Sequence, residues 1–332
     1  MSATPKRPKP LVSWFDLVRL FGTCAVMFST LAVCYFPYAT DDWKPQQQDP
    51  VKYEEAQDFY KGVYAESELV PEADASDGHG YAELGRLANE EQRIPAMVAD
   101  FVAEHGLEDA KTLEVGAGAG QLQDLVEDYT GLDIAPSAAR YFHKPFVAAS
   151  ATDLPFEDSS FGALWTVWTL EHIPNPERAL EEMRRVVEDG GYMLIAPAWI
   201  CPPWAAEGYA VRPYSDLDWS GKLVKSSLIV RDQSILVSLG LMSARVVRRT
   251  LWGVTGGPTR LRFWRLDPNY EKYWVPDADA AVSIDRHEVM LWFESRGDEC
   301  LNCGADAGAK VTEGFGPLKV RVRKRPQRLP RK

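Results

Sequence analysis

The chain is poor in cysteine. Five are scattered over 332 residues, at Cys24, Cys34, Cys201, Cys300 and Cys303. That excludes a small fold framed by disulfides. Cys300 and Cys303 form a single CxxC without a second pair. A zinc site needs about four ligands, so no metal is expected and the two read as a free turn pair. Basic residues are also short, 37 Lys and Arg against 48 Asp and Glu, a net charge of −11. Such a balance speaks against general nucleic-acid binding, and no nucleic-acid partner is expected. Internal repeats and low-complexity tracts are missing, which excludes a solenoid. The basic residues that are there concentrate at the end. Residues 319–332 hold eight Lys and Arg and no acid. This tail suits either contact with anionic lipid or a solvated basic end.

What the sequence does have is one long uncharged run, Leu20–Thr40, between Arg19 and Asp41-Asp42. Trp14 and Phe15 precede it, and Tyr35, Phe36 and Tyr38 close it. Length, absence of charge and aromatic ends predict one transmembrane helix, with residues 1–19 a basic N-terminal segment. A cleaved signal peptide fits less well, because Pro37 sits two residues before Ala39. Lys6, Arg7, Lys9 and Arg19 before the span place the N-terminus in the cytoplasm and the main domain outside. The cofactor argued below is cytosolic, so a cytosolic catalytic domain is the preferred expectation and a lumenal one the alternative.

Residues 41–110 read as a linker followed by helices at 51–68 and 81–104, with Gly106 as a cap. From 111 to 198 strands alternate with short helices. Strands are expected at Thr112–Gly116, Tyr129–Ile134, Phe146–Ala149, Phe161–Val167 and Tyr192–Ala196. Helices are expected after Gly120, over Ser137–His143 and over Glu177–Glu188, the last stopped by Gly190-Gly191. This alternation predicts an α/β fold, a parallel sheet with helices on both faces. Ligands in such sheets bind beyond the carboxyl ends of the strands. The pattern lapses over 199–282, which holds six of the eleven tryptophans up to Trp274. It returns over 283–323 with a helix started by Asp285 and a strand from Leu318, before the basic tail 324–332.

The most informative stretch is Thr112-Leu113-Glu114-Val115-Gly116-Ala117-Gly118-Ala119-Gly120. A strand running through three glycines suits close backbone approach to a ligand. A dinucleotide site wants G-x-G-x-x-G and an acid about 20 residues on. Here the third glycine comes one position early and Asp133 stands only 13 residues past Gly120. Glu114 has no role with a pyrophosphate. A cofactor with a cationic amino-acid end, a ribose diol and an adenine explains that acid better.

These residues resemble the class I S-adenosylmethionine (SAM)-dependent methyltransferases. Thr112–Gly120 looks like their first motif and Gly131–Ser137, with Asp133, like the second. Ala151–Phe156 is similar to the adenine-side loop, and Leu170-Glu171-His172-Ile173-Pro174 to the "LEHxP" segment of the type 11 group. Val187–Tyr192 matches the turn into strand five. The resemblance covers roughly residues 110–197 and implies a Rossmann-like sheet and SAM as cofactor. It implies that Glu114, Gly116, Gly118 and Gly120 hold the methionine end, and that Asp133 takes the ribose hydroxyls. Thr152, Asp153 and Leu154 would meet the adenine. Glu171 and His172 are the candidate catalytic pair, His172 as base and Glu171 ordering it or a substrate. The same two residues also suit packing and capping of the next helix.

In such proteins an insertion after strand five often caps the substrate, and the aromatic stretch 199–282 has the place for it. A small-molecule, lipid or glycan-type methyl acceptor is therefore expected, with a membrane-anchored enzyme. The competing readings are a nicotinamide-dependent oxidoreductase and a non-catalytic membrane scaffold of the same fold.

Overall fold

A computed structural model describes residues 14–15, 18–24, 26, 50–65, 89–202, 204–231, 234–270, 278–314 and 316–324. Most of the expected span at 20–40, the stretch 66–88 and the tail beyond 324 lie outside these residues. Among the described residues, no helix is long and apolar enough to cross a membrane.

The core is a sheet of seven strands. They are β1 (Thr112–Val115), β2 (Tyr129–Asp133), β3 (Phe146–Ala148), β4 (Phe161–Val167), β5 (Val187–Ala196), β8 (Glu299–Cys300) and β9 (Leu318–Arg321). Their order is β3-β2-β1-β4-β5-β9-β8. The first five run parallel. β9 returns antiparallel beside β5, and β8 pairs antiparallel with β9. The expected parallel sheet therefore carries a reversed pair at one edge. The strand order changes direction at β1 and β4, so their carboxyl ends open the crevice where ligands bind in open sheets.

Alternation along the strands sorts the core into two layers. Leu113, Val115, Leu164, Met193 and Ile195 point to one side. There they meet Leu180 and Met183 of α3 (Pro176–Val186) and Val289, Met290 and Phe293 of α6 (Arg286–Glu294). Ala163, Trp165, Val167 and Leu194 point to the other side. They meet Val98, Phe101 and Val102 of α2 (Ile94–His105), which Gly106 ends in a left-handed cap. Helices on both faces are thus found as expected.

Two local expectations fail. No α-helix follows the glycine stretch; residues Gln123–Leu125 make a single 3-10 turn. Only residues 121–128 separate Gly120 from β2, too few to climb a helix and return to the sheet. Gly190 and Gly191 do not stop α3 either. Its last helical residue is Val186, and Val187 is already extended. Both glycines lie inside β5, where the register against β4 is irregular. A Cβ on Gly191 would stand 2.8 Å from the Gly162 carbonyl, so glycine there permits the close strand approach.

The segment after β5 builds α4 (Trp219–Arg231), α5 (Ser234–Thr255) and an antiparallel ribbon of β6 (Phe263–Arg265) and β7 (Val282–Ile284). It has its own small core of Trp204, Tyr209, Leu217 and Leu228. The boundary at 282 falls inside β7, whose Val282 and Ile284 join the main core. Cys300 and Cys303 are bridged by a disulfide, contrary to the free pair expected, because the turn leaving β8 brings their Cα atoms to 5.6 Å. No cluster of metal-ligating side chains occurs among the described residues.

Candidate active site

The glycine loop at the end of β1 is held open by its neighbours. Gly116, Gly118 and Gly120 all have positive φ, at 76°, 48° and 68°. A Cβ on Gly116 would lie 2.0 Å from the Thr169 hydroxyl. One on Gly118 would lie 2.9 Å from the Tyr64 hydroxyl. Only glycine fits such a cradle. Asp133, at the end of β2, fastens the loop from below. It is buried, and its carboxylate accepts the Gly118 amide and the Ala135 amide, each at 2.9 Å. Burial raises its pKa, and the backbone donors pull the other way.

Glu114 is buried within β1 and accepts a hydrogen bond from the Tyr129 hydroxyl. Burial pushes its carboxyl up to about 8, so it carries a proton at neutral pH. Burial beside the Glu114 carboxylate also raises the Tyr129 phenol, which stays protonated. Glu114 thus waits as a neutral acid that a cation would ionise.

A helix from outside the sheet, α1 (Pro50–Ala65), lies across the loop. Gln57 donates to the Ile134 carbonyl at 3.3 Å, and Ser137 donates to the Lys61 carbonyl at 2.8 Å. Tyr64 rests on Gly118, its phenol raised well above the usual range by burial and by Asp133 and Asp279. The N-terminal helix therefore covers the ligand-binding edge, a question the sequence leaves open.

At the end of β4 the backbone turns sharply. Trp168 has φ 48°, a left-handed conformation for a bulky residue. The next turn, Leu170–His172, brings two acids to His172. His172 Nδ1 stands 3.2 Å from the Asp279 carbonyl and 3.6 Å from its carboxylate Oδ2. Its Nε2 stands 3.9 Å from Glu171 Oε1. Glu171 Oε1 in turn accepts the Ala198 amide at 2.8 Å. Tyr60 of α1 donates to Asp279 Oδ2 at 2.8 Å and its ring lies edge-on to His172.

Against this geometry, a family model described as a methyltransferase domain matches residues 113–195. Residues 113–195 form a methyltransferase domain of the class I SAM-dependent type. Three curated relatives agree. One is sterol 4-C-methyltransferase of Caenorhabditis elegans, 30% identical over 103 residues, 26% of this chain and 31% of the relative. The second is demethylmenaquinone methyltransferase of Paenarthrobacter aurescens, 34% identical over 96 residues, 26% and 38%. The third is a probable phthiotriol/phenolphthiotriol dimycocerosates methyltransferase of Mycobacterium ulcerans, 35% identical over 123 residues, 34% and 43%. The chain spans only about a third to two fifths of the length of these relatives.

SAM is the cofactor of this methyltransferase domain, and the residues present suit it. The glycine cradle admits a ligand to the backbone. Glu114 suits a cationic amine, and the Asp133 oxygens have acceptor capacity beyond the two amides they hold. The adenine-side loop differs in part from expectation. Thr152 is buried, its hydroxyl 2.8 Å from the Ser150 hydroxyl, and Asp153 is exposed. The Leu154 amide donates to Glu182 at 3.1 Å and its carbonyl accepts from Arg185 at 2.9 Å. Those contacts tie the loop to α3, so the Leu154 backbone is spent inside the protein. Glu171 likewise serves the Ala198 backbone first and His172 second.

The sequence reading misses Asp279, Tyr60 and Tyr64 altogether. Asp279 stands 107 residues from His172, in no motif. Its one local mark is an acid among Ala278, Ala280 and Ala281, small residues that become wholly or nearly wholly buried.

Proposed function

We propose that this protein transfers the methyl group of SAM to a hydroxyl or comparable protic group of a small-molecule or lipid-linked acceptor. The observation that carries the reading is His172 placed between the Asp279 carboxylate and Glu171 at the carboxyl end of β4. Bound SAM supplies an electrophilic methyl on a sulfonium with a good leaving group. The protein's task is then to orient the acceptor and to take its proton. His172 Nε2 accepts that proton. Asp279, facing Nδ1, keeps the ring oriented and stabilises the imidazolium that forms. Tyr60 holds the Asp279 carboxylate in place, and Glu171 sets the Ala198 backbone beside the ring. Glu114, the glycine loop and Asp133 hold the cofactor, with Thr152 and Asp153 on its adenine side.

A lipid-type acceptor is supported by the aromatic wall where Tyr270 meets Phe59 at 4.8 Å, and by the names of the three relatives. The uncharged run at 20–40 supports a single-pass membrane anchor, and the cytosolic supply of SAM favours a catalytic domain on that side, against the count of basic residues before the run. The test is methyl transfer from labelled SAM to lipid and polar cell extracts by the full chain. Incorporation that disappears in His172→Ala supports the reading. SAM binding with no incorporation into either extract contradicts it and favours a scaffold.

A further inference from the structure

We propose that the outer faces of α4 and α5 form a second membrane-contact surface, docking the cap on an anionic lipid bilayer.

Helix α5 is built inside out. Its inward side is charged. Arg245 forks onto Asp285 at 2.7 and 2.8 Å, Arg248 reaches Glu288 at 3.1 Å, and Arg249 reaches Glu294 at 2.9 Å. Its outward side is apolar. Val247, Leu251 and Val254 follow one another at four- and three-residue steps, and Val254 is 84% exposed. A helix lying between protein and water normally shows the opposite arrangement. Helix α4, directly before it, adds Trp219 at 75%, Leu223 at 61% and Ile229 at 78% exposure. Apolar surface of this extent calls for an apolar partner.

Charge names the partner. Between Trp219 and Thr255 there are six basic residues and one acid, in a chain where acids lead by 11. Three of the six are the arginines neutralised inside the fold. On α4, Lys222 is exposed, and Lys225 donates to the Tyr209, Ala210 and Arg212 carbonyls, bonds that leave its charge in place. An apolar helix face flanked by lysine suits the interface of an anionic bilayer. A second copy of the chain would bring like charge to like. The same chain shows a further apolar element with the same need: Trp14, Phe15, Leu20 and Phe21 are exposed at the head of the uncharged run.

The docking claim stands apart from the methyl-transfer reading and from the anchor at 20–40, and its test keeps them apart. The full chain carries Cys24→Ser and Cys34→Ser, so that no thiol of the uncharged run takes the label; Cys201 is buried and Cys300 and Cys303 are bridged. A single cysteine at Val254 takes an environment-sensitive fluorophore, and a second variant carries it at exposed Glu157 instead. Vesicles of phosphatidylcholine and phosphatidylglycerol, with and without brominated acyl chains, are added. The Val254 probe should shift to the blue and lose about half its emission or more to brominated lipid, with the Glu157 probe unchanged. Protein that sediments with vesicles while the Val254 probe is unquenched would show anchoring by the N-terminal run alone and overturn the proposal. A blue shift that grows with protein concentration without vesicles would show a second copy on this face, and also overturns it. Val254 is on the surface, so its substitution leaves folding intact.

Discussion

Tyr60 and Asp279 stand 219 positions apart in the chain and share a 2.8 Å hydrogen bond over His172. One comes from the helix before the methyltransferase domain and the other from the insertion after β5. The pocket around His172 is thus assembled from three chain segments, and its chemistry depends on all of them.

His172→Ala should lower methyl transfer by about 100- to 10,000-fold, the range for losing a general base. SAM affinity should stay within about twofold, because the ring faces the acceptor side. Asp279→Asn should give a smaller loss and move the pH–rate profile, since the imidazolium loses its carboxylate. Single-turnover kinetics across pH separates the two variants.

SAM binding should release a proton. Glu114 is neutral below about pH 8 in the unliganded protein, because burial raises it. A cationic amine nearby stabilises its carboxylate, so binding expels about one proton near neutral pH. Affinity should therefore rise as pH rises from 6 to about 8 and then level off. Calorimetry in buffers of different ionisation enthalpy measures the release, and Glu114→Gln should abolish it.

Gly116→Ala should abolish SAM binding. The residue has φ 76°, and the new methyl would meet the Thr169 hydroxyl at 2.0 Å. The left-handed conformation alone costs about 1–2 kcal/mol with a Cβ, and the clash moves the loop. Gly314, with nothing within 4 Å of a Cβ, is the matched control. Thermal melts with and without SAM report both effects.

Arg245→Ala should destabilise the fold by about 3–5 kcal/mol, because it leaves Asp285 charged and buried. Asp285 also caps α6 by accepting the His287 amide at 3.1 Å, so the loss should spread to that helix. Denaturant unfolding of the full chain measures it. Arg245→Met with Asp285→Asn should recover part of the loss.

Much of this was legible in the sequence, for a physical reason. β1, β2 and β4 are short apolar runs bounded by breakers, and glycines at alternate positions mark the loop that must admit a ligand. Asp133 was legible because it ends a strand beside that loop. The errors came from local rules applied where tertiary contacts decide. A helix after Gly120 has no room before β2. Gly190 and Gly191 look like a helix stop, but the Gly162 carbonyl needs Gly191 bare inside a strand. The ties of the Leu154 backbone to Glu182 and Arg185 of α3 leave no local mark in the sequence either. Asp279 and Tyr60 have no motif around them. Only folding brings them to His172.

The measurement closest to the central claim is calorimetric titration of the full chain with SAM, beside Asp133→Ala. The account predicts one-site binding in the wild-type protein and a loss of at least about tenfold in the variant, which removes both the ribose acceptor and the anchor of Gly118. Equal affinity in the two proteins, or no binding by the wild type, would contradict it.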